Sequence, residues 1–151
     1  METNQLSLKI ITPDRILLDK QVNYVVAQAI DGELCILPRH QPLLTALDID
    51  VVRFATGKEE HTAAVMGGIL EVSKNEVTIL SDLAELDTEI DEAAAHQEKE
   101  KAQAAKIQKT DKLDLYLSEM SIARSVARIK ATEISRRKRH HTEPPKPHNN
   151  N

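Results

Sequence analysis

The chain has 151 residues, of which 40% are hydrophobic, enough for one compact domain or a small domain with an appendage. No run of about 18 apolar residues occurs, so the sequence predicts no membrane-spanning helix. A single cysteine provides no disulfide framework, and one Phe, two Tyr and no Trp offer few platforms for stacking nucleic-acid bases.

The net charge of −4 is divided unevenly along the chain. Residues 1–87 carry seven basic and fourteen acidic side chains, whereas residues 88–151 carry thirteen basic and ten acidic ones. From Ser121 onward, eight basic side chains stand against two acidic ones. The basic end is therefore either a solvated tail or a segment that seeks an acidic partner surface.

The first 80 residues predict short β-strands separated by turns, a pattern typical of a β-sandwich. The predicted strands cover residues 6–10, 16–18, 22–27, 33–37, 43–47, 51–54, 61–66, 69–72 and 77–80. Gly67 and Gly68 predict a bulge or a close backbone approach. Pro38 and Pro42 exclude a helix between them and predict a rigid loop.

Two residues near this loop suggest, at first sight, a catalytic pair. Cys35 and His40 could serve as nucleophile and base, but Cys35 lies in an apolar run, where a small buried thiol is the ordinary interpretation. No third group stands nearby to orient the histidine, so we predict no catalytic pair. His61 is a lone histidine on a predicted hairpin, which indicates a surface or packed residue rather than a metal ligand. The sequence contains no P-loop, GxGxxG, CxxC or HExxH motif.

At about Asp82 the pattern changes from the period of a strand to that of a helix. Thr88 is the predicted N-cap of a first helix, which continues through a segment rich in Ala, Gln, Glu and Lys. Thr110 and Asp111 interrupt it and cap a second helix over residues 112–137.

The second predicted helix has apolar residues on two opposite sides at 100° per residue. One stripe consists of Leu113, Leu117, Met120, Ala127 and Ala131, and the other of Leu115, Ile122, Val126 and Ile129. One stripe suffices for a two-helix hairpin, so the second needs another surface. That surface is the sandwich, a partner reached when the hairpin opens, or each of them in turn.

Basic residues accumulate toward the end of this helix. Arg124 and Arg128 lie one turn apart, and residues 136–139 are all basic, which the helix dipole alone would favour. A basic-tailed adaptor or nucleic-acid-binding module is the alternative function, but the acidic remainder and the few aromatics weigh against it. Residues 138–151 are polar and Pro-rich and are predicted to be disordered. Their histidines, His140, His141 and His148, are not expected to form a designed metal site.

Three segments, in this order and spacing, resemble the epsilon subunit of the F-type rotary ATP synthase. They are Gly32-Glu33 with Ile36-Leu37-Pro38, His40 and Pro42-Leu43-Leu44-Thr45; Gly67-Gly68-Ile69-Leu70-Glu71-Val72; and Val77-Thr78-Ile79-Leu80. The resemblance covers residues 6–137. It departs at Cys35, where the family usually has glycine, and at Arg39, where it has a small or polar residue.

The resemblance implies an all-β N-terminal sandwich over residues 1–87, followed by a C-terminal α-helical hairpin over residues 88–137. It implies a non-catalytic subunit of the central stalk that couples proton-driven ring rotation to ATP synthesis and inhibits ATP hydrolysis through its C-terminal helices. The implied partners are the gamma subunit, the membrane-embedded c-ring and the alpha/beta catalytic head, with no nucleic acid. The chain would reach the cytoplasmic face of a bacterial membrane, or the stromal face in a plastid, only through the complex.

The residues expected to contact these partners divide between the two parts of the chain. They are His40, Leu43, Arg124, Arg128, Arg136 and Arg137. Residues 129–137 resemble the ending of family members with a long inhibitory helix, which favours that role.

Some bacterial members bind ATP through the pattern Ile/Leu-Asp-x-x-Arg-Ala at the start of the first helix. The matching segment here is Ile90-Asp91-Glu92-Ala93-Ala94-Ala95, in which Ala94 stands where the pattern has arginine. Asp91, Arg124 and Arg128 remain as candidates for an ATP site. Because the cation at position 94 is missing, we predict weak or no ATP binding, and no other cofactor.

Overall fold

The computed structural model describes residues 4–108 and 111–142, and its strands precede its helices. The strands are β1 Leu6–Ile11, β2 Ile16–Val22, β3 Tyr24–Ala29, β4 Gly32–Ile36, β5 Leu43–Thr56, β6 Glu59–Ser73, β7 Glu76–Leu80 and β8 Ala84–Leu86. The helices are α1 Glu92–Ile107 and α2 Lys112–Thr142. The prediction of an all-β N-terminal sandwich followed by a C-terminal α-helical hairpin is confirmed.

The strands are hydrogen-bonded in the order β2-β1-β7-β6-β5-β3-β4, and β8 pairs with β6. All pairs are antiparallel except β1 with β7. The long strands β5 and β6 pair from Leu43 opposite Val72 to Thr56 opposite Glu59. Because β7 pairs with one half of β6 and β8 with the other, this long pair serves both layers of the sandwich.

Two differences from the predicted strands have a local cause. The predicted breaks at residues 48–50 and 67–68 do not end a strand, because pairing between β5 and β6 continues across them. Gly67 and Gly68 lie inside β6 with φ of 77° and 116°, a conformation that only glycine adopts easily. Strand β8 was not predicted, since three residues are too few to show an alternation.

The sandwich core is closed by strand residues alone. Its buried side chains are aliphatic apart from Phe54, and all of them lie between Leu6 and Ala84. A second, smaller cluster joins Val51 and Ala64 of the sandwich to Ala127 and Ala131 of α2. The hairpin therefore covers one face of a sandwich whose own core does not include it.

The two apolar stripes of α2 have different surroundings along their length. Ala127 and Ala131 are buried against β5 and β6, while Ile129, on the opposite side of the helix, is 8% exposed. Closer to the start of α2, Leu113 is 62% exposed and Leu117 is 55% exposed. The expectation that α2 needs two surfaces is met over its second half, where the sandwich and α1 supply them, whereas in its first half Leu113 and Leu117 remain exposed.

The C-terminal part of α2 is attached to the sandwich by a buried carboxylate. The Glu60 side chain is only 7% exposed and accepts hydrogen bonds from the Tyr24 hydroxyl and the Lys138 ammonium. Burial acts to raise the pKa of Glu60, but these hydrogen bonds and the nearby positive charges outweigh it and hold the pKa below its ordinary value of 4.5. Burial, followed by the hydrogen bond to Glu60, raises the pKa of Tyr24 to about 12.

Replacing Gly68 should destabilise the sandwich strongly. A β-carbon at this position would lie 2.0 Å from the carbonyl oxygen of Leu80, which is backbone and cannot move aside. Gly32, with a φ of 135° and nothing within 4 Å of an added β-carbon, provides a matched control for backbone strain alone. We expect Gly68→Ala to lower the free energy of unfolding by about 2 kcal/mol more than Gly32→Ala in urea titrations. Equal losses would contradict the close approach.

Replacing Glu60 should weaken the protein in a pH-dependent way. Since the folded state lowers the pKa of Glu60, its stabilising contribution is present above pH 4.5 and is lost as the pH falls through the folded-state pKa. We expect Glu60→Gln to cost about 1 kcal/mol of unfolding free energy at pH 7 and almost nothing in strong acid, measured by urea titration of the helical circular-dichroism signal. Glu71→Gln, an exposed carboxylate on the same strand, should have little effect at either pH.

Candidate functional site

The residues considered for catalysis do not form a pair. Cys35 is exposed, which corrects the expectation of a buried thiol. Strand β4 is the last in the sheet order and pairs only with β3, so alternation turns Ile36 inward and Cys35 outward. The His40 ring is engaged through Nδ1 with the carbonyl oxygen of Gln41 at 2.7 Å. No hydrogen bond between Cys35 and His40 is present in the described part of the chain.

The loop that contains His40 is held rigidly. Its backbone turns at Arg39, where φ is 68°, and the His40 amide donates to the carbonyl of Leu37 at 3.2 Å. The Arg39 amide donates to the side-chain oxygen of Asn75 at 2.6 Å, which ties the loop to the turn between β6 and β7. Residues 37–44, here called the loop surface, are thus fixed to the sandwich rather than free to move.

The two leucines at the end of the loop surface have different environments. Leu43 is half-buried and packs against the sandwich core, while Leu44 beside it is 70% exposed. Leu37, at the other end of the loop, is 55% exposed. The resemblance assigned two residues here to partner contact. His40 lies within the loop, whereas Leu43 packs largely against the sandwich core. Leu44 is the exposed apolar side chain that the sequence argument missed.

The start of α1 differs from the prediction. The N-cap is Asp91, not Thr88, and its carboxylate accepts a hydrogen bond from the Ala94 amide at 3.1 Å. The chain remains non-helical before Asp91 because Glu89 is held elsewhere: both of its oxygens receive hydrogen bonds from Arg15 at 2.9 Å. These hydrogen bonds lower the pKa of Glu89.

The candidate ATP-binding residues are not brought together. Asp91 caps α1, and its neighbour Glu92 pairs with Arg136 near the far end of α2. Arg124 lies twelve positions before Arg136, about 18 Å away along the helix axis. Arg128 lies between the two and is paired with carboxylates. Because Asp91, Arg124 and Arg128 are not brought together, they do not form a compact phosphate-binding site in this conformation.

From Arg124 onward, α2 carries six cations whose side chains the structure describes, here called the cation row. They are Arg124, Arg128, Lys130, Arg136, Arg137 and Lys138. Four of them form ion pairs across to the sandwich or to α1, whereas Arg124 and Arg137 are exposed and form none among the described residues. The docked helix therefore leaves two arginines without an ion pair among the described residues, and of the four paired cations only Arg128 is largely buried, at 20% exposure.

The same pairing bears on the nucleic-acid alternative. Arg136 is paired with Glu92 and Lys138 with Glu60, so the basic cluster at residues 136–139 is partly neutralised within the described chain. The Arg139 side chain and the histidines His140, His141 and His148 lie outside the side chains that the structure describes.

Within the described residues, no group of three or more His, Cys, Asp or Glu side chains is arranged to hold a metal ion. His61 stacks at a tilt on Phe54, with ring centroids 5.8 Å apart, and its Nε2 lies 3.5 Å from a Glu59 oxygen. The interpretation of His61 as a packed residue is therefore confirmed. None of the helical segments described here combines the length and the apolar character that crossing a bilayer requires.

A groove of about 450 Å³ opens on the sandwich at the end of β1. Its wall includes Pro13, Gly68, Ile69 and Asp82. Ile69 is half-exposed on its rim, so the groove joins an apolar surface to a carboxylate. This groove was not predicted from the sequence; its visible signal is the pair of glycines, since the missing side chain at Gly68 allows β6 to approach Leu80.

Comparison with known proteins identifies the family. Residues 5–87 match the family model described as "ATP synthase, Delta/Epsilon chain, beta-sandwich domain". The chain is 36% identical over 126 residues to the ATP synthase epsilon chain of Desulforamulus reducens, covering 83% of this chain and 96% of that one. It is 38% identical over 134 residues to that of Dehalococcoides mccartyi, covering 88% and 96%. It is 49% identical over 98 residues to that of Gloeothece citriformis, covering 65% and 71%.

Solved structures with a similar fold come from two large assemblies. A chain of the Euglena gracilis mitochondrial ATP synthase, described as OSCP/F1/c-ring, matches with a TM-score of 0.75 at 20% identity over 86% of this chain and 82% of that one. A chain of the Tetrahymena thermophila mitochondrial ATP synthase, described as central stalk and c-ring, matches with a TM-score of 0.60 at 17% identity over 87% and 99%. At these identities the likeness concerns the fold. The family model and the bacterial relatives together show that the chain belongs to the epsilon-chain family of ATP synthases.

Proposed function

We propose that this chain is a non-catalytic subunit of the central stalk of an F-type ATP synthase, where it couples ring rotation to ATP synthesis and restrains ATP hydrolysis through α2. Membership of the epsilon-chain family supports the first part. The observation that carries the second part is the separation of the two cores. Since the sandwich core contains no helix residue, α2 can leave its face without opening that core.

The loop surface is our candidate for contact with the c-ring. Leu37 and Leu44 are exposed at its two ends, and the hydrogen bond from Arg39 to Asn75 keeps the loop in one shape. Apolar side chains on a rigid loop suit a permanent contact, because little conformational freedom is lost on binding. His40 lies between them and adds a polar contact to the same surface. The chain then reaches the cytoplasmic face of the membrane only through the ring.

The remaining surfaces suggest places for the other partners. The groove beside Ile69 and Asp82 is our candidate for the gamma subunit, since it joins exposed apolar surface to a recess. The cation row is our candidate for an acidic surface on the alpha/beta catalytic head. In the docked helix, Arg124 and Arg137 are the members of the row that form no ion pair among the described residues.

The absence of a catalytic role and of strong ATP binding remain part of this proposal. Two observations support it: the His40 ring is engaged with the carbonyl oxygen of Gln41, and Asp91 serves as a helix cap. Ala94 contributes only its backbone amide to that cap. Equilibrium dialysis with ATP on the isolated chain tests this point, and tight binding would contradict it.

Removing the helices should release ATP hydrolysis in the assembled enzyme. We expect a chain ending at Asp87 to unfold cooperatively on its own, because its core is complete, and to assemble into the complex. ATP hydrolysis by that complex should rise several-fold over the intact enzyme, since α2 is no longer present to restrain it. A chain ending at Thr142 is the matched control and should behave like the intact one. Unchanged hydrolysis after truncation at Asp87 would mean that the helices do not inhibit.

A charge on the loop surface should weaken attachment to the ring. Leu44→Asp places a carboxylate on an exposed apolar contact, and we expect at least about tenfold weaker binding of the chain to detergent-solubilised c-ring with gamma subunit. The control is Ile16→Asp, which also replaces an exposed aliphatic side chain with a carboxylate but lies on β2, away from the loop surface. The control should bind normally. Equal binding by both variants would remove the loop surface from the proposed contact.

A further inference from the structure

Arg128 is held between two carboxylates from different parts of the chain. Its Nε lies 2.9 Å from Glu85 of β8, and its Nη2 donates to the same carboxylate at 3.0 Å. On the other side, Nη1 donates to Glu98 of α1 at 2.7 Å. Only 20% of the Arg128 side chain is exposed. The guanidinium thus joins α2, α1 and the sandwich at a single point.

Two more cations of α2 are paired in the same way. Lys130 lies 2.7 Å from Asp50 of β5, and Arg136 is paired with Glu92 of α1. The acceptors come from the sandwich in one case and from α1 in the other, so both neighbours of α2 take part. Arg128 and Arg136 are also two of the residues that the epsilon-family resemblance assigns to partner contact.

The apolar part of this interface is thin. The apolar side chains that α2 buries fully against the sandwich are Ala127 and Ala131, each with a single methyl group, and Ile134 packs against the same cluster only partly buried. Polar contacts add to it: the Thr62 hydroxyl donates to the Ala131 carbonyl at 2.8 Å, Ser135 donates to Asp87, and Lys138 donates to Glu60. Because apolar stabilisation scales with buried area, alanine contributes little, and the ion pairs carry a correspondingly larger share of docking.

We propose that Glu85, Glu92 and Glu98 act as an internal substitute for an acidic partner, pairing with Arg128 and Arg136 until α2 separates from the sandwich and from α1. The three carboxylates are called the charge clamp. Docking and partner binding then compete for the same guanidinium groups. The identity of the competing partner rests on the proposed function, whereas the clamp itself rests on the ion pairs alone.

The clamp implies an order in which the arginines of α2 contact a partner. Arg124 and Arg137 are exposed in the docked helix and can meet an acidic surface first. Arg128 and Arg136 follow only when the clamp opens, exchanging one set of carboxylates for another. Such an exchange changes the position of α2 while keeping the number of charge pairs similar.

The clamp can be tested on the isolated chain through the position of α2. Cys35 is the only cysteine and is exposed, so a spin label there and another at Glu133→Cys, an exposed position of α2, report their separation by pulsed electron resonance. We expect Glu85→Gln with Glu98→Gln to reduce the docked population several-fold. Glu71→Gln with Glu100→Gln removes the same charge from a strand and from α1 at carboxylates that form no ion pair with any described residue, and should leave the distances unchanged.

Raising the salt concentration tests the ion pairs independently, in a labelled chain that keeps all the carboxylates of the charge clamp. At an ionic strength of about 1 M the screening length falls to about 3 Å, so the docked population of the labelled chain should decrease there as well. Glu98 is on α1 with 53% of its side chain exposed and is paired with Arg128, so Glu98→Gln alone should give a partial shift even if the double variant folds poorly. Distances that respond neither to Glu98→Gln nor to salt would overturn the clamp.

The assembled enzyme separates this proposal from the inhibitory function. With the clamp removed, α2 should leave the sandwich more often, so ATP hydrolysis by the complex should fall at least twofold relative to the Glu71→Gln, Glu100→Gln control. Changed distances with unchanged hydrolysis would uphold the clamp and contradict inhibition by α2. Unchanged distances would contradict the clamp, whatever the hydrolysis rate.

Discussion

The pairing of β5 with β6 over their whole length is the constraint on which this structure depends. These two strands contribute to both layers, so a core forms from residues 6–84 without help from the rest of the chain. The hairpin then needs only a small apolar contact with the face that includes Val51 and Ala64. A domain that is complete on its own can carry an appendage that changes position without unfolding, because the two clusters share no side chain.

The interface between α2 and the sandwich suits a helix that can detach and bind elsewhere. A helix that docks through large apolar side chains remains in place, since returning them to water is costly. Here α2 offers Ala127 and Ala131 to the sandwich and surrounds them with polar contacts, among them the buried hydrogen bond between Ser135 and Asp87. Ion pairs at a surface are individually weak and can be replaced by pairs with another molecule. The composition of the interface thus matches a helix that has two alternative positions.

Much of the fold could be predicted from the sequence because it follows from local patterns. Alternation in residues 6–10 and the acid-rich start of α1 act over a few residues, and both identify elements that the structure contains. The N-cap could not be predicted, since Glu89 is drawn away by Arg15, which is 74 positions distant in the chain. Cys35 was placed wrongly inside because an apolar run does not reveal that β4 lies at the edge of the sheet. The partners of Arg128 likewise depend on the helix register and could not be read from spacing.

Asn75 connects three distant segments, and this has a mechanical consequence. Its side-chain oxygen receives the Arg39 amide, its carbonyl receives the Ser7 amide at 2.8 Å, and its own backbone forms the turn between β6 and β7. A force applied at His40 is therefore passed through Asn75 to β1 and to the turn between β6 and β7, and is not borne by the loop alone.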